Sequence, residues 1–197
     1  MSTNEAESLQ AVLHGDKDAF TAVVEEYQVP VYNLCYRMLG NSQAAEDAAQ
    51  ETFWRAYRNI NRYDPKRSFA TWLLSIAAHY CIDQQRRRRL PTFNLDEILE
   101  METGVSDPGP SPEAVTIKKE EEERIQGYLQ MLNPTDRAVL ILCYFYEFSE
   151  EQICKILEIS KSAAKSRLHR ARLHIAEIMM NQPVTPMKGR QHETQPI

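Results

Sequence analysis

Apolar residues recur at steps of three and four along most of the chain, which is the spacing that one face of an α-helix requires. Three such stretches are predicted in the first 90 residues, at about 16–40, 42–60 and 69–89. Strand-like alternation of apolar and polar residues is scarce, so the pattern predicts an all-α fold. The apolar face expected for the second stretch consists of Ala49, Phe53, Ala56, Tyr57 and Ile60.

The residues after position 117 predict a second helical unit that ends in a helix-turn-helix. Asn133 and Pro134 are typical of a helix start. Ser149 and Gln152 have the spacing of a capping box, and two helices are expected at 149–157 and 161–179. Glu158 stands in the turn between them, where glycine is common; a non-glycine residue fits there at modest cost if the turn avoids the left-handed backbone conformation.

The segment 91–116 has a different composition, with four prolines, six acidic residues and no basic ones. Such a composition is typical of a mobile linker between two domains. The predicted organisation is therefore a helical domain at 1–90, a linker at 91–116 and a helix-turn-helix domain at 117–180. A disordered tail is expected at 181–197, because prolines are frequent and apolar residues are few there.

The net charge of −5 is unexpected for a chain with a DNA-binding motif. The positive charges are clustered, however, at residues 86–89 and 161–172, and this distribution matters more than the sum. Weak overall attraction to phosphates predicts poor DNA binding by the chain alone, and hence a need for a larger partner.

The four cysteines, Cys35, Cys81, Cys143 and Cys154, do not have the spacing of a metal site, so buried thiols are expected. Catalytic residues, metals and cofactors are not predicted. Apolar runs of 18 residues and a secretory signal are also lacking in the sequence. This predicts a cytoplasmic protein that does not insert into membranes.

The last predicted helix carries an apolar stripe opposite a polar and basic surface. Short polar side chains can reach base edges, whereas lysine and arginine reach phosphates or guanine, so the pattern predicts DNA binding. An idle basic surface helix is the alternative. The polar surface consists of Lys161, Ser162, Lys165, Ser166, His169 and Arg172, with Arg167 and Arg170 at its margins.

The first domain carries two candidate surfaces. Asp47, Gln50, Glu51 and Trp54 lie away from the apolar face of the second helix and form an acidic ridge suited to a basic partner. Ordinary solvated charge is the alternative for this ridge. Aromatic and basic residues occur together further on, which is typical of a surface for single-stranded nucleic acid. They are Arg62, Tyr63, Lys66, Arg67, Phe69, Trp72, His79, Tyr80 and Arg86 to Arg89, with Phe69 and Trp72 as alternative core residues.

Several short motifs occur in a specific order and spacing. They are Gly15-Asp16, Ala19-Phe20, Tyr32, Arg37, Leu39-Gly40, Ala45-Glu46-Asp47-Ala48, Gln50-Glu51-Thr52-Phe53, Phe69-Ala70-Thr71-Trp72-Leu73 and Lys165-Ser166-Arg167-Leu168-His169-Arg170-Ala171-Arg172. With these motifs, residues 9–180 resemble extracytoplasmic-function sigma factors, the compact two-domain class of the bacterial sigma-70 family. Glu158 and Ala163-Ala164 depart from the usual residues of that family, so the resemblance implies no particular promoter sequence.

The resemblance implies a non-catalytic factor that binds core RNA polymerase, through its β′ and β subunits, and directs promoter recognition and DNA melting. It also implies a stress-responsive role and control by an anti-sigma factor. The residues implied in polymerase binding are Asp47, Gln50, Glu51 and Phe53. The residues implied at the −10 element, where a base is flipped, are Asn61, Arg62, Lys66, Arg67, Ser68, Phe69, Trp72, His79, Tyr80 and Arg86. The residues implied at the −35 element are Lys161, Ser162, Lys165, Ser166, His169 and Arg170.

Two other classes of protein remain as alternatives. A dimeric regulator with the same helix-turn-helix would need a receiver or ligand-binding domain, and residues 1–90 lack the strand–helix alternation that such a domain requires. A decoy that binds an anti-sigma factor but never polymerase would not need the polymerase-facing and base-facing motifs.

Overall fold

The computed structural model describes residues 9–13, 16, 18–89 and 113–181 of the 197-residue chain. The described part is helical and contains no strand, as the sequence predicts. Residues 9–13 form a short helical segment that packs Leu9 and Val12 into the core. The longer helices are α1 (Ala19–Leu39), α2 (Ser42–Arg58), α3 (Phe69–Arg89), α4 (Glu113–Met131), α5 (Pro134–Tyr144), α6 (Glu150–Leu157) and α7 (Lys161–Asn181), with a 3₁₀ turn at Ile60–Arg62.

Helices α1, α2 and α3 form a bundle with a shared apolar core. Small residues line the α2 side: Ala45, Ala48 and Thr52 are fully buried, and the Thr52 hydroxyl donates to the Ala48 carbonyl at 2.7 Å. The face predicted for α2 is therefore partly wrong, because Tyr57 is 36% exposed and Phe53 is only half-buried. The pattern gave most weight to large apolar residues, whereas close packing against α1 selects small ones.

Helices α5, α6 and α7 form the second unit, and its predicted caps are confirmed. The Asn133 side chain accepts from the Thr135 amide, and Ser149 and Gln152 form the reciprocal capping box. The Ser160 hydroxyl accepts from the Ala163 amide at the start of α7.

The turn between α6 and α7 is left-handed, although it contains no glycine. Glu158 adopts φ 53° and ψ 41°, so the turn does not avoid the conformation that is unfavourable for a residue with a side chain. The strain costs a non-glycine residue roughly 1–2 kcal/mol. Packing of both helices offsets that cost, because Ile156, Leu157 and Ala164 on either side of the turn are all buried.

The helical region that follows the predicted linker begins earlier than predicted. Helix α4 starts at Glu113, whereas the sequence places residues 113–116 in the linker. The rest of the predicted linker before Glu113, and the predicted tail after Asn181, lie outside the described residues.

The two units meet at the C-terminal end of α1. The last carbonyl groups of a helix lack partners within it and carry partial negative charge. Gln126 Nε2 donates to the carbonyl oxygens of Tyr36 and Arg37 at 3.0 and 3.2 Å, and Gln130 Nε2 donates to Arg37 O at 3.2 Å. Gly40 ends α1 with φ 76°, and a Cβ atom there would lie 2.8 Å from Gln130 Cδ. Glycine adopts this backbone conformation without strain and leaves room for the Gln130 side chain.

Arg137 of α5 completes the junction. Its side chain is only 2% exposed, and its guanidinium donates to the carbonyl oxygen of Met38. It also donates to Gln130 O at 2.7 Å, Gln130 Oε1 at 2.5 Å and Leu132 O at 3.2 Å. Arg137 thus joins the α4–α5 turn to the end of α1 through one buried cation.

Further contacts extend the junction along α1 and α3. The guanidinium of Arg37 lies 4.0 Å from the centre of the Phe145 ring. The Tyr146 hydroxyl donates to the Pro30 carbonyl, and burial raises the pKa of Tyr146, which keeps this donor protonated. Helix α1 is continuous through Pro30, and α6 packs against α3.

Candidate nucleic-acid interface

The polar surface of α7 is exposed, as predicted. Ala164 and Ala171 are buried against α5 and α6, which fixes the opposite side of the helix toward solvent. The residues predicted to contact duplex DNA are all exposed: Lys161, Ser162, Lys165, Ser166, His169 and Arg170. The helix-turn-helix is therefore free to present this surface to a major groove.

The basic side chains of α7 have partners within the second unit. Lys161 Nζ lies 2.9 Å from Glu151 Oε1, and its hydrogen bond lowers the pKa of Glu151. Lys165 Nζ lies 3.8 Å from Glu150 Oε2. The Arg172 Nε atom donates to the Tyr144 hydroxyl at 2.9 Å. Phosphates would have to replace these exposed partners.

The second half of α2 and the turn after it form an open groove of about 690 Å³. Trp54 lies at this groove and is 52% exposed, with the Arg58 guanidinium 4.4 Å from its ring. The Arg55 guanidinium lies 4.7 Å from the Tyr80 ring and 2.6 Å from Glu51 Oε1. An exposed aromatic ring among arginines is suited to stacking on an unpaired base. The residues lining the groove are Glu51, Trp54, Arg55, Arg58, Asn59, Asn61 and Arg62.

Phe69 does not belong to this surface, and its prediction as a DNA-binding residue is wrong. Its side chain is fully buried, with its ring centre 5.2 Å from that of Tyr63 and 5.4 Å from that of Tyr27. Trp72 is half-buried beside it, 5.5 Å between ring centres, so part of its surface remains accessible. The aromatic residues of this segment mainly anchor the start of α3.

The other residues predicted for single-stranded DNA lie at the surface or at its edge. Most of the exposed residues lie between α2 and α3, and one lies in the last turn of α3. They are Asn61, Arg62, Lys66, Arg67 and Ser68, and then Arg86. His79 and Tyr80 are half-buried, and the Nδ1 atom of His79 lies 2.9 Å from the Ser75 carbonyl oxygen. Trp54, which the sequence analysis places on the acidic ridge, was missing from the set predicted for single-stranded DNA, as were Arg55 and Arg58. These three residues lie within one turn of α2. Their proximity to Tyr80 depends on how α2 packs against α3, which the sequence does not show.

The acidic ridge on α2 lies beside an apolar groove. Asp47 and Gln50 are exposed, whereas Glu51 and Phe53 are half-buried. Gln50 and Phe53 also line a groove of about 400 Å³ between α1 and α2, in which Val29 is 62% exposed. Burial, together with the charge of Glu46, raises the pKa of Tyr32, so the groove wall carries a neutral hydroxyl. The residues lining the groove are Val24, Gln28, Val29, Tyr32, Glu46, Ala49, Gln50 and Phe53.

The described helices include none that is both long enough and apolar enough to cross a membrane.

Cys35 and Cys81 are buried as expected, whereas Cys143 and Cys154 are half-buried. A hydrogen bond with Cys35, followed by burial, raises the pKa of Cys81, so this thiol stays neutral inside the first bundle.

Residues 23–90 match the family model of sigma-70 region 2, and residues 122–175 match that of sigma-70 region 4. The chain is 40% identical over 170 residues to the extracytoplasmic-function sigma factor SigW of Bacillus subtilis, an alignment that covers 83% of this chain and 90% of SigW. The chain belongs to the extracytoplasmic-function group of the sigma-70 family. The match to region 2 also removes the regulator with a receiver or ligand-binding domain as an alternative.

Two solved structures have the same fold as this sigma factor. CnrH, in complex with the cytosolic domain of CnrY, superposes with a TM-score of 0.67 at 20% identity, over 91% of this chain and 99% of CnrH. The sigma factor RpoE, in complex with the anti-sigma factor NepR from Bartonella quintana, gives 0.65 at 21% identity, over 85% of this chain and 100% of RpoE. Helices α1–α3 of the sigma factor lie in region 2, and helices α5–α7 lie in region 4.

Proposed function

We propose that this sigma factor binds core RNA polymerase and directs it to promoters whose −10 and −35 elements it recognises with separate halves. The observation that carries the proposal is the presence of two different nucleic-acid surfaces in one chain. The groove beside Trp54 is suited to unpaired bases, and the exposed side of α7 is suited to duplex DNA. A factor that both melts and positions promoter DNA needs both kinds of surface.

Within region 2, the groove takes the flipped base and backbone of the −10 element. Trp54 supplies a stacking surface, and Arg55, Arg58 and Arg62 supply positive charge for the strand. Trp72 and Arg86 lie near the two ends of α3, outside this groove, and would contact other parts of the strand. Flipping a base costs a few kcal/mol, and base–aromatic stacking returns about 1–3 kcal/mol per base. Contacts to the phosphates must therefore supplement stacking, which is consistent with the number of arginines at this groove.

Within region 4, the N-terminal half of α7 enters the major groove at the −35 element. Ser162, Ser166 and His169 are short enough to approach base edges, and Lys161 and Lys165 reach the phosphates. Both lysines are exposed, and solvent surrounds the Lys161–Glu151 pair, so these pairs contribute little to the stability of the free protein. Phosphates can displace these glutamates at little cost.

The two halves must separate when the sigma factor binds a promoter. Elements centred near −10 and −35 are about 25 base pairs apart, which is roughly 85 Å along the duplex. A compact chain of this length has a radius of gyration of about 16 Å and cannot contact both. The chain between Arg89 and Glu113 can span at most about 85 Å, which allows the halves to part. The contacts of Arg137 with the end of α1 would open in that step.

The acidic ridge and the adjoining apolar groove bind the polymerase clamp, through a basic and partly apolar helix of the β′ subunit, and region 4 contacts the β subunit. An anti-sigma factor that covers the same groove would exclude polymerase. The fold shared with a sigma factor solved in complex with an anti-sigma factor supports control of this kind. In this role the protein acts in the cytoplasm, together with polymerase and the chromosome, as a stress-responsive initiation factor and not as an enzyme.

In-vitro transcription with core polymerase tests the proposed function. We expect the purified sigma factor to bind promoter DNA weakly alone, because its net charge is −5, but to confer specific start sites on core enzyme. A library of randomised promoter fragments supplies the templates, and sequencing of the transcripts identifies the starts. Core enzyme without the factor is the control. Absence of factor-dependent transcripts from the whole library would refute the proposal.

Charge reversal on the acidic ridge tests the polymerase-binding site. The double variant Asp47→Lys, Glu51→Lys should weaken core binding by at least about tenfold, because two attractive contacts become repulsive. Affinity is measured by fluorescence anisotropy of labelled factor titrated with core enzyme. Reversal of two exposed acids on α4, Glu122→Lys and Glu123→Lys, matches the charge change and should leave core affinity unaltered. Equal losses in both double variants would mean that only net charge matters, which contradicts a localised ridge.

A further inference from the structure

One carboxylate of α5 holds two arginines of α7. Asp136 Oδ1 accepts from Arg167 Nη1 at 2.8 Å, and Arg170 donates through Nε to Oδ2 and through Nη2 to Oδ1, both at 3.3 Å. The Asp136 side chain is only 12% exposed, whereas the side chains of Arg167 and Arg170 are 29% and 59% exposed. Arg170 therefore extends from a buried anchor toward solvent on the exposed side of the helix.

The contacts of Asp136 differ from the other ion pairs of α7. The side chains of Lys161 and Glu151 are 62% and 68% exposed, so water and salt weaken their attraction. The Asp136 carboxylate is shielded from water and accepts three charge-assisted hydrogen bonds, which are the stronger kind. DNA phosphates would displace Glu151 from Lys161 more readily than they would displace Asp136 from Arg170.

The geometry decides which edge of Arg170 remains available. A guanidinium has five N–H donors in one plane, on two edges that each hold two parallel donors. Asp136 occupies the edge formed by Nε and Nη2. The end formed by Nη1 and Nη2 keeps two parallel N–H groups, which is the arrangement that matches O6 and N7 of guanine.

The geometry points to Asp136 as the positioning residue for −35 recognition: it fixes Arg170 with its terminal edge outward, so that this edge makes a bidentate contact with a guanine. Arg167 supplies the second positive charge, so the trio of two guanidiniums and one carboxylate keeps a net charge of +1 and does not repel DNA. This inference rests on the proposed binding of α7 at the −35 element. It adds a residue of α5, outside the recognition helix, to the determinants of promoter sequence.

A double-mutant cycle in the holoenzyme tests the inference. Holoenzymes with the wild-type factor, Asp136→Asn, Arg170→Ala and the double variant select from promoters randomised at −35, and sequencing gives the discrimination ratio at each base position. Arg170→Ala should lower discrimination about 5- to 150-fold at one or two positions, the range of a bidentate base contact. Asp136→Asn should lower it about tenfold at the same positions, because the neutral amide cannot hold the guanidinium by both oxygens. The double variant should match Arg170→Ala within about twofold.

Two further variants separate positioning from other effects. Arg170→Lys keeps the positive charge but lacks the forked edge, so its discrimination should equal that of Arg170→Ala. Glu151→Gln also removes a carboxylate partner from α7, and it should leave discrimination unaltered. Thermal unfolding of each variant verifies that region 4 is folded.

Several results would overturn the inference. Effects of Asp136→Asn and Arg170→Ala that multiply in the double variant would show independent roles. A uniform rise in affinity for all sequences with Asp136→Asn would show that the carboxylate only repels DNA. If the wild-type holoenzyme discriminates between −35 sequences and the Asp136→Asn holoenzyme does so equally well, the positioning role of Asp136 is refuted, whereas the proposed −35 recognition stands. If the wild-type holoenzyme shows no discrimination there, the proposed −35 recognition fails and this inference fails with it.

Discussion

Replacing Arg137 by alanine is expected to lower the free energy of unfolding by about 3–5 kcal/mol. The side chain is 2% exposed and donates to four oxygen atoms, three of them backbone carbonyls. Each buried acceptor that loses its donor costs about 1–3 kcal/mol, and the deleted volume adds a cavity. The Gln85 side chain also donates to Met38 O, so part of the loss is recovered at that carbonyl.

Urea denaturation followed by two probes measures where Arg137 acts. Both tryptophans, Trp54 and Trp72, lie in region 2, so their fluorescence monitors the first bundle, whereas circular dichroism at 222 nm monitors helices of both halves. We expect Arg137→Ala to shift both transitions, because the α4–α5 turn and the end of α1 lose donors together. Gln126→Ala is the matched control: it removes bonds only to Tyr36 and Arg37, and should cost about 1 kcal/mol. A fluorescence transition unaltered by Arg137→Ala would contradict the link between the halves.

Replacing Phe69 by alanine is expected to destabilise region 2 by about 3–5 kcal/mol. Its ring is fully buried among Tyr27, Tyr63 and Trp72, with ring centres 5.2 to 5.5 Å away. Loss of the ring removes apolar burial and three edge or tilted aromatic contacts, and it leaves a cavity that the first turn of α3 cannot fill. Unfolding in urea, followed by circular dichroism, gives the free energy.

Trp54→Ala provides the contrasting variant for the same surface. The Trp54 side chain is 52% exposed, so its removal should change the free energy of unfolding by no more than about 0.5 kcal/mol. Binding of the non-template −10 strand by holoenzyme should weaken by about 1–3 kcal/mol, the value of one stacked base. Competition with a fluorescent oligonucleotide measures that affinity. A stable Phe69→Ala protein with a selective loss of DNA binding would reverse these two assignments.

Local signals accounted for most of the fold. The start of α3 at Phe69, the cap at Ser149 and the exposed surface of α7 all follow from side chains within a few residues of one another. The conformation of Glu158 did not follow, because helix packing on both sides of the turn outweighs the preference of a single residue.

The candidate site was predicted less completely than the fold, since surface and core aromatics look alike in a sequence. Phe69 and Trp54 are both large aromatic residues near basic ones, and only the packing of α1 against α3 decides that Phe69 is enclosed. Arg55 and Tyr80 come from different helices, and their contact at 4.7 Å depends on how α2 crosses α3. A composition can indicate a single-strand surface without showing which rings face it.

The sequence by itself determined an all-α chain, the helix-turn-helix and the order of motifs that indicates a sigma factor, because periodicity, caps and motif spacing are properties of neighbouring residues. Only the tertiary structure decided the roles of Arg137 and Asp136. These two residues are adjacent in α5, yet Arg137 is buried against the end of α1 while Asp136 holds Arg167 and Arg170 of α7. Hydrogen bonds that join residues 31, 34 or 99 positions apart depend on the packing of whole helices, and no local pattern encodes them.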